Sequence, residues 1–490
     1  MDTLKKYWLA LSVAYFSLLL QFYEIFKASN RYAMRWRTIY LWEVVTAIML
    51  LGTLYYLSYF SLTFLCRRYR AVQRLLNVAA LVAMWFVFSR CLISMAVVSS
   101  GVPAVILSVV TFLPAKFLIY GASIPMAFAF TKFLKRTMCA LYLILSPALL
   151  VLMICGLSYW QWEDADWQKY YSLISETESK VRDNDTYILV FDEWSYARTF
   201  TPEGSPKLAL PNIEKLIAHS TFYPKAYSGG DDTISAIPRF IFQQNGELLK
   251  LTELQLSELL FAGKCIPGNS IFLSAPKDSL RIACGIYHNY SGLLSSETDY
   301  AARIDDPHVP FWHSVLGMLS TQLSWARIFG IRVKNNTRED LLQKSWASRV
   351  QKLHDLLLYG IEHSQVPLFM LFHYAVPHQP FVWSARGRIE NPEWDPREHT
   401  IKGYLSNIQG VDHFLGEIIS ALEVAGRYDG ATIIVTSDHS WRFDPDIMHT
   451  ELSDDPFAAT ERRHVPLIVK NPGQNHMSIH TNITYLLNMF

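Results

Sequence analysis

The chain has 490 residues, enough for two or three domains, and its 44 basic and 43 acidic side chains leave a formal net charge of +1. That balance lacks the electrostatic footprint of a nucleic-acid binder, so no nucleic-acid partner is expected. The 51% hydrophobic content is uneven: residues 1–160 are dominated by apolar runs, whereas residues 180–490 carry charges, prolines and turn residues throughout.

A bilayer crossing needs about 20 apolar residues. Runs at roughly 7–26, 39–64, 75–99, 104–130 and 138–160 reach that length, which predicts a transmembrane domain of about five helices over 1–160. The first run is not a cleavable signal peptide, because its apolar core is too long, no small-residue cleavage site follows and further spans come after it. Pro114, Lys116 and Pro125 interrupt the fourth run, so that span is expected to be broken or partly interfacial. Basic loops set orientation. Lys5 and Lys6, the group Arg67, Arg68, Arg70 and Arg74, and the group Lys132, Lys135 and Arg136 all face the cytoplasm if the C-terminal half lies outside. The loop with Lys27, Arg31, Arg35 and Arg37 argues the other way, but five spans satisfy more basic residues in this orientation than in its inverse. The expectation is a multi-pass protein of the inner or plasma membrane with its C-terminal domain extracytoplasmic. Cys66, Cys91, Cys139 and Cys155 fall in or beside the spans, where Cys behaves as a small apolar residue. Cys265 and Cys284 are alone in the soluble half, and a disulfide between them would suit an extracytoplasmic domain.

Residues 161–185 are polar and helix-prone and read as a linker helix, followed by a domain over 186–490. Thr186 to Phe191 is a short apolar strand that stops on Asp192-Glu193. Pro211 opens an amphipathic helix, with proline at its first turn. A loop with Gly229, Gly230, Asp231 and Asp232 leads into Thr233. Pro367 to Tyr374 is another buried strand and runs into Ala375-Val-Pro-His378-Gln-Pro. Residues 400–425 form an amphipathic helix closed by Gly426, then residues 432–438 form a strand that ends on Asp438-His439, and Val465 to Lys470 is a further strand. Strands alternating with helices predict an α/β domain with a largely parallel sheet.

In open α/β sheets ligands bind at the carboxyl ends of strands, so Asp192-Glu193 and Asp438-His439 are able to converge on one metal. Each item alone has a plainer reading. Asp438-His439 is equally a helix N-cap followed by a surface histidine, Asp192-Glu193 a solvated loop, Thr233 a helix cap, and His378 between two prolines a loop residue packed for shape.

The order of these segments is more specific, and over nearly all of 186–490 it resembles the alkaline phosphatase/sulfatase superfamily. Tyr187-Ile-Leu-Val-Phe-Asp192-Glu193 looks like that family's first metal-binding strand. Leu210-Pro-Asn-Ile-Glu-Lys-Leu with Phe222-Tyr-Pro-Lys-Ala-Tyr227 is similar to its helix and return. Phe372-His-Tyr-Ala-Val-Pro-His378-Gln-Pro resembles its "PHxP" loop. Tyr404 to Leu422, with Val411-Asp412 and Leu415-Gly416, resembles its "VDxxLG" helix. Thr436-Ser-Asp438-His439 is similar to its "TSDHG" strand, and His464-Val-Pro-Leu-Ile-Val to its "VPLIV" strand.

This resemblance implies an α/β/α sandwich catalytic domain behind N-terminal transmembrane helices. No cysteine occupies the place of the sulfatase nucleophile. Thr233 stands five residues before Pro238, as in phosphoethanolamine transferases, and these enzymes and the related lipoteichoic acid synthases also carry about five N-terminal spans. Ser235, four residues before Arg239, is the rival nucleophile, and Thr233 is favoured. Three departures stand out: Ser440 replaces the glycine after Asp-His, the serine near Thr233 comes one place early, and Asp192-Glu193 lies between the double Asp of sulfatases and the single Glu of the transferases.

The implied metal ligands are Asp192 or Glu193, Thr233, Asp438 and His439, a set that suits zinc or manganese. The implied reaction moves a phosphoethanolamine or phosphoglycerol headgroup from a phospholipid donor to an envelope glycan or lipid acceptor through a phospho-threonine intermediate. The alternative is a membrane-anchored sulfatase- or phosphodiesterase-type hydrolase. His378 is the candidate for holding phosphate oxygens or protonating the leaving group, with His449, His464 and Arg239 as further substrate-binding candidates.

Overall fold

The computed structural model describes residues 6–15, 41–82, 84, 133, 136, 137, 139, 140, 142, 166–176, 184–243, 250–251, 269–286, 290–294, 296–304, 312, 315, 319, 336–396, 398–445 and 461–489. The spans expected at 104–130, most of those at 75–99 and 138–160, and residues 16–26 of the first, together with Cys91, Cys155, Cys265 and His449, lie outside the described residues. The chain divides into two compact units, Met1–Trp162 with His308–Leu342, and Glu163–Pro307 with Gln343–Phe490.

In the first unit, helix α1 (Leu41–Leu65) has 25 residues, about 37 Å at 1.5 Å per residue. Among the described residues it is the one helix long and apolar enough to cross a membrane. It leaves Leu54, Leu57, Phe60, Phe64 and Leu65 exposed. A short turn carrying Arg67 and Arg68 returns the chain into helical residues 70–82, which Asn77 fastens to α1 by accepting from Tyr59 Oη at 2.8 Å. Residues 6–15 approach α1 at Gly52, where a Cβ would meet Leu11 Cδ2 at 2.6 Å. Small residues permit such close helix contacts in membranes. Of the five expected spans, the described residues thus show one candidate membrane helix.

The second unit is built on an eight-stranded mixed sheet, counted among the described residues. Its order is β12 (Ser478–Ile479), β2 (Thr221–Phe222), β11 (Leu467–Lys470), β9 (Thr432–Ser437), β1 (Thr186–Phe191), β6 (Leu368–Tyr374), β4 (Leu280–Gly285) and β5 (Tyr300–Arg303). The run from β9 to β5 is parallel, while β11 is antiparallel to β9 and β2. Pro466 splits the strand expected over 465–470, so β10 (His464–Val465) pairs instead with β3 (Ala226–Tyr227).

Parallel strands buried on both faces read as continuous apolar runs, and the pleat sends alternate side chains to opposite layers. Tyr187, Leu189 and Phe191 of β1 enter one core, with Met370 and Phe372 of β6 and Val435 of β9. Ile188 and Val190 enter the other, with Leu371 and Ile434. Helices α2 (Trp167–Glu176), α3 (Pro211–Ala218), α6 (Asn336–His363) and α7 (Ile401–Val424) cover the first core. Helices α4 (Thr233–Ile241) and α5 (Tyr290–Leu294) cover the second. The result is an α/β/α sandwich. Helix α2 lies in the stretch read as a linker, and it buries Tyr170 and Ile174 in the first core, with Tyr170 Oη donating to the Leu356 carbonyl. Cys284 is a free thiol buried in β4, so it forms no disulfide with Cys265. Burial pushes its pKa up.

Candidate active site

The register places the site. Phe191 lies opposite Ser437 on one side and Tyr374 on the other, so Asp192 and Asp438 leave adjacent strands at the same level. His373 sits one position before the end of β6. These are carboxyl ends of parallel strands, where α/β sheets place their ligands.

Hydrogen bonds fix the loop after β1. Asp192 N–H donates to the Tyr374 carbonyl at 2.9 Å, and Glu193 N–H donates to Asp438 Oδ1 at 3.1 Å. Tyr404 Oη, from α7, donates to the Glu193 carbonyl and accepts from Ser195 N–H at 2.9 Å. Its ring stacks on Trp441 with centroids 4.0 Å apart.

After β9, Asp438 Oδ1 accepts from His439 N–H at 2.8 Å. Asp438 Oδ2 is buried and accepts no hydrogen bond, facing His373 Nε2 at 3.6 Å and His439 Nε2 at 3.5 Å. His439 Nδ1 donates to the Ser440 carbonyl at 2.8 Å. That leaves the Nε2 lone pair toward Asp192 Oδ1, 3.6 Å away.

Thr233 is the first residue of α4. Its Oγ1 lies 3.3 Å from His439 Nε2 and 3.5 Å from Asp192 Oδ1. Ser235 is engaged elsewhere. Asp232 caps α4 by accepting from Ser235 N–H at 2.7 Å, and the same Oδ1 accepts from Ser235 Oγ at 2.6 Å. Gly230 is required beside it, because a Cβ there would lie 2.1 Å from Ser235 Oγ.

Asp192, His373 and Asp438 offer ligand atoms all within 4.8 Å of one another, and all three residues are buried. Two buried carboxylates this close repel unless a cation or a proton stands between them. Burial would push the Asp438 carboxyl up, but His439 and His373 beside it hold it well below the usual carboxylate range. The donor set, oxygens with imidazole, together with the unsatisfied Asp438 Oδ2, fits a divalent metal.

The structure thus brings Asp192, Asp438, His439 and Thr233 together. Glu193 belongs to the same loop; its Oε1 accepts from Arg442 Nε at 2.6 Å, while its Oε2 is buried without a hydrogen bond among the described residues. Burial would raise its pKa, and His378 and Arg442 outweigh this and lower it. His378 N–H donates to the Asp192 carbonyl at 3.1 Å, and its Nδ1 donates to the Gln379 carbonyl at 2.5 Å. Burial lowers its pKa, with Glu193 opposing. Asn407 of α7 pins this loop by donating to the carbonyls of Pro377, His378 and Pro380 at 3.2, 3.2 and 3.3 Å. His464 is stacked between Tyr196 and Tyr227, with Nε2 donating to the Pro224 carbonyl at 2.8 Å. Arg239 Nη1 donates to the Gly229 carbonyl at 2.8 Å and braces the loop before Thr233. Two site residues were not singled out from sequence, His373 and Arg442. The signal for His373 was there: it is the one histidine in the otherwise apolar and aromatic run of β6. Arg442 has no such mark.

Residues 307–490 match the Sulfatase family model. The chain carries this domain across β6, α7, β9 and β11. Among solved structures it resembles a phosphonate monoester hydrolase of Agrobacterium radiobacter, with 16% identity over 63% of this chain and 72% of that one and a TM-score of 0.41. It also resembles a protein of the alkaline phosphatase superfamily from Vibrio parahaemolyticus, with 14% identity over 66% and 73% and a TM-score of 0.38. A third is the lipoteichoic acid synthase LtaP from Listeria monocytogenes, with 12% identity over 67% and 74% and a TM-score of 0.35. No curated protein matches the chain.

Proposed function

We propose that this chain, which carries a sulfatase-family domain, is a membrane-anchored, metal-dependent transferase. It moves a phosphoethanolamine or phosphoglycerol headgroup from a phospholipid to an envelope glycan or lipid through a covalent adduct on Thr233. The observation that supports this most directly is the seat of Thr233 Oγ1, 3.3 Å from His439 Nε2 and 3.5 Å from Asp192 Oδ1. The residues that would hold the metal are Asp192, His373, Asp438 and His439. A divalent ion there supplies a lowered pKa for the threonine hydroxyl and neutralisation of charge on the phosphoryl oxygens.

A free threonine hydroxyl is otherwise a poor nucleophile. In the first half-reaction the Thr233 Oγ1–phosphorus bond forms and the bond from phosphorus to the glycerol oxygen breaks. Thr233 gives its proton toward Asp192 Oδ1, and diacylglycerol leaves with a proton. In the second, an acceptor hydroxyl gives its proton to His378 and attacks phosphorus, and Thr233 leaves as its hydroxyl, taking back the proton held by Asp192. His378, with Nδ1 committed to the Gln379 carbonyl, keeps Nε2 to exchange a proton with the leaving and attacking oxygens. Apolar α1 supports a membrane setting for a lipid donor.

The test is intact-protein mass after wild type and Thr233→Ala are incubated with headgroup-labelled phospholipids in bilayers. A headgroup-sized adduct on wild type alone is the expected result. The sulfatase-family match over 307–490 favours a second reading, an ester hydrolase in which water is the acceptor. No adduct, with phosphodiesters or sulfate esters still hydrolysed in water, selects that reading.

A further inference from the structure

We propose that Tyr290 is a positioning residue for the metal centre: its hydroxyl accepts the Nδ1 proton of His373 and so holds the imidazole with Nε2 bare toward Asp438. This rests on the metal-dependent reading above.

The strand register creates the contact. His373 of β6 pairs with Gly285, the last residue of β4. Gly285 presents no side chain, and a Cβ there would lie 2.5 Å from Tyr290 Cε2 and 3.0 Å from both Cζ and Oη. The glycine therefore opens the ground over which the Tyr290 ring lies. From there Oη reaches His373 Nδ1 at 3.2 Å. On the opposite side of the imidazole, Nε2 is 3.6 Å from Asp438 Oδ2. Tyr290 and His373 are both fully buried.

An imidazole nitrogen binds a metal only when it carries no proton, so the proton must reside on the other nitrogen, and its acceptor there sets ring orientation. A phenol suits this place because it both donates and accepts. It donates to a bare Nδ1 when the His373 proton faces the carboxylates, and accepts from Nδ1–H when Nε2 is taken by a metal. The exchange leaves no polar group stranded. Burial pushes the phenol pKa well up, so it brings no further negative charge to a site that already holds two carboxylates.

The experiment uses full-length protein in nanodiscs, stripped of metal, with the zinc dissociation constant read by competition against a chromophoric chelator. Tyr290→Phe keeps the ring over Gly285 and removes only the oxygen. It is expected to weaken zinc binding about 10–100-fold, the range for loss of such a partner, with only a small fall in the metal-free melting temperature from the one buried hydrogen bond lost. Gly285→Ala leaves the phenol intact but displaces it, and is expected to weaken zinc binding in the same direction. In Co2+-loaded protein the visible absorption bands should shift in Tyr290→Phe. Wild-type zinc affinity in both variants, with affinity lost in His373→Ala, overturns the role of Tyr290 and leaves the metal-dependent reading standing. A wild type that binds neither zinc nor manganese overturns both.

Discussion

Glu193 holds a backbone φ of 63°, a left-handed conformation that costs a side-chain-bearing residue about 1–2 kcal/mol. The strain is balanced by what the turn achieves, since it directs Glu193 N–H to Asp438 and the Glu193 carboxylate to Arg442. Arg442 is thereby fastened at the end of the β9 loop with its side chain 39% exposed, a cation suited to the anionic oxygens of an ester. Arg442→Ala is expected to raise KM for a charged phosphodiester several-fold while changing kcat less, which steady-state kinetics at varied substrate reads directly. Ser235 and Thr233 are separated by a similar argument. Ser235→Ala removes one of the hydrogen bonds to the Asp232 cap and is expected to cost about 0.5–1 kcal/mol of stability. It should still form the Thr233 adduct, and loss of the adduct would revive Ser235 as the nucleophile.

Helix α7 does more for the site than its distance along the chain suggests. Tyr404 and Asn407 on it fix the loops that carry Glu193 and His378. One turn further on, Asp412 caps α3, whose own N-cap Leu210 has no capping side chain, by accepting from Asn212 N–H at 3.0 Å and Ile213 N–H at 2.8 Å. Gly416 lets α3 approach, since a Cβ there would lie 2.6 Å from Asn212 Nδ2. This gives a physical account of the Pro-Asn and Val-Asp…Leu-Gly pairing across 200 residues: one segment supplies the bare helix end, the other its cap. Asp412→Ala is expected to lower stability by about 2–3 kcal/mol, read as a shift in the urea midpoint at constant slope. Helix α6 is joined to α7 by His354 Nε2 and Glu417 Oε2, 3.0 Å apart. The hydrogen bond from His354 lowers the Glu417 pKa. A carboxyl with a depressed folded pKa contributes stability above its unfolded pKa, about 4.3, and loses it as pH falls through the folded value. Wild type should therefore exceed Glu417→Gln in melting temperature at pH 6 and converge with it in acid. Equal curves throughout would show the pair contributes nothing.

Across the molecule, the chain joins an apolar unit to an α/β/α unit for which a charged ester is the proposed substrate. The basic turn after α1 argues for a cytoplasmic face there and an outward catalytic domain. With the six native cysteines replaced by serine, Lys402→Cys should react with an impermeant maleimide on intact cells, and Arg68→Cys only after permeabilisation. The reverse pattern would place the domain inside, away from an envelope acceptor. Residues 308–342 cluster with the N-terminal unit although they lie between β5 and most of α6 in sequence. The domain boundary is therefore not one point in the chain.

What the sequence determined by itself was local. Runs such as Thr186 to Phe191 and Thr432 to Ser437 are strands because β-branched and aromatic residues suit a sheet buried on both faces, and their end residues are polar because the chain leaves the sheet there. The spacing of residues 400–425 likewise sufficed for helix α7. The tertiary structure decided what depends on register between distant strands. Only the pairing of β6 with β1 and β4 brings His373 to Asp192 and Asp438 and sets Gly285 beneath Tyr290. Only the left-handed turn at Glu193 brings one oxygen of that carboxylate to Arg442. Periodicity records which face a side chain takes within its own element. It carries no information on which element lies beside it, because burial is satisfied by any apolar neighbour whereas ligation requires particular atoms within a few ångströms.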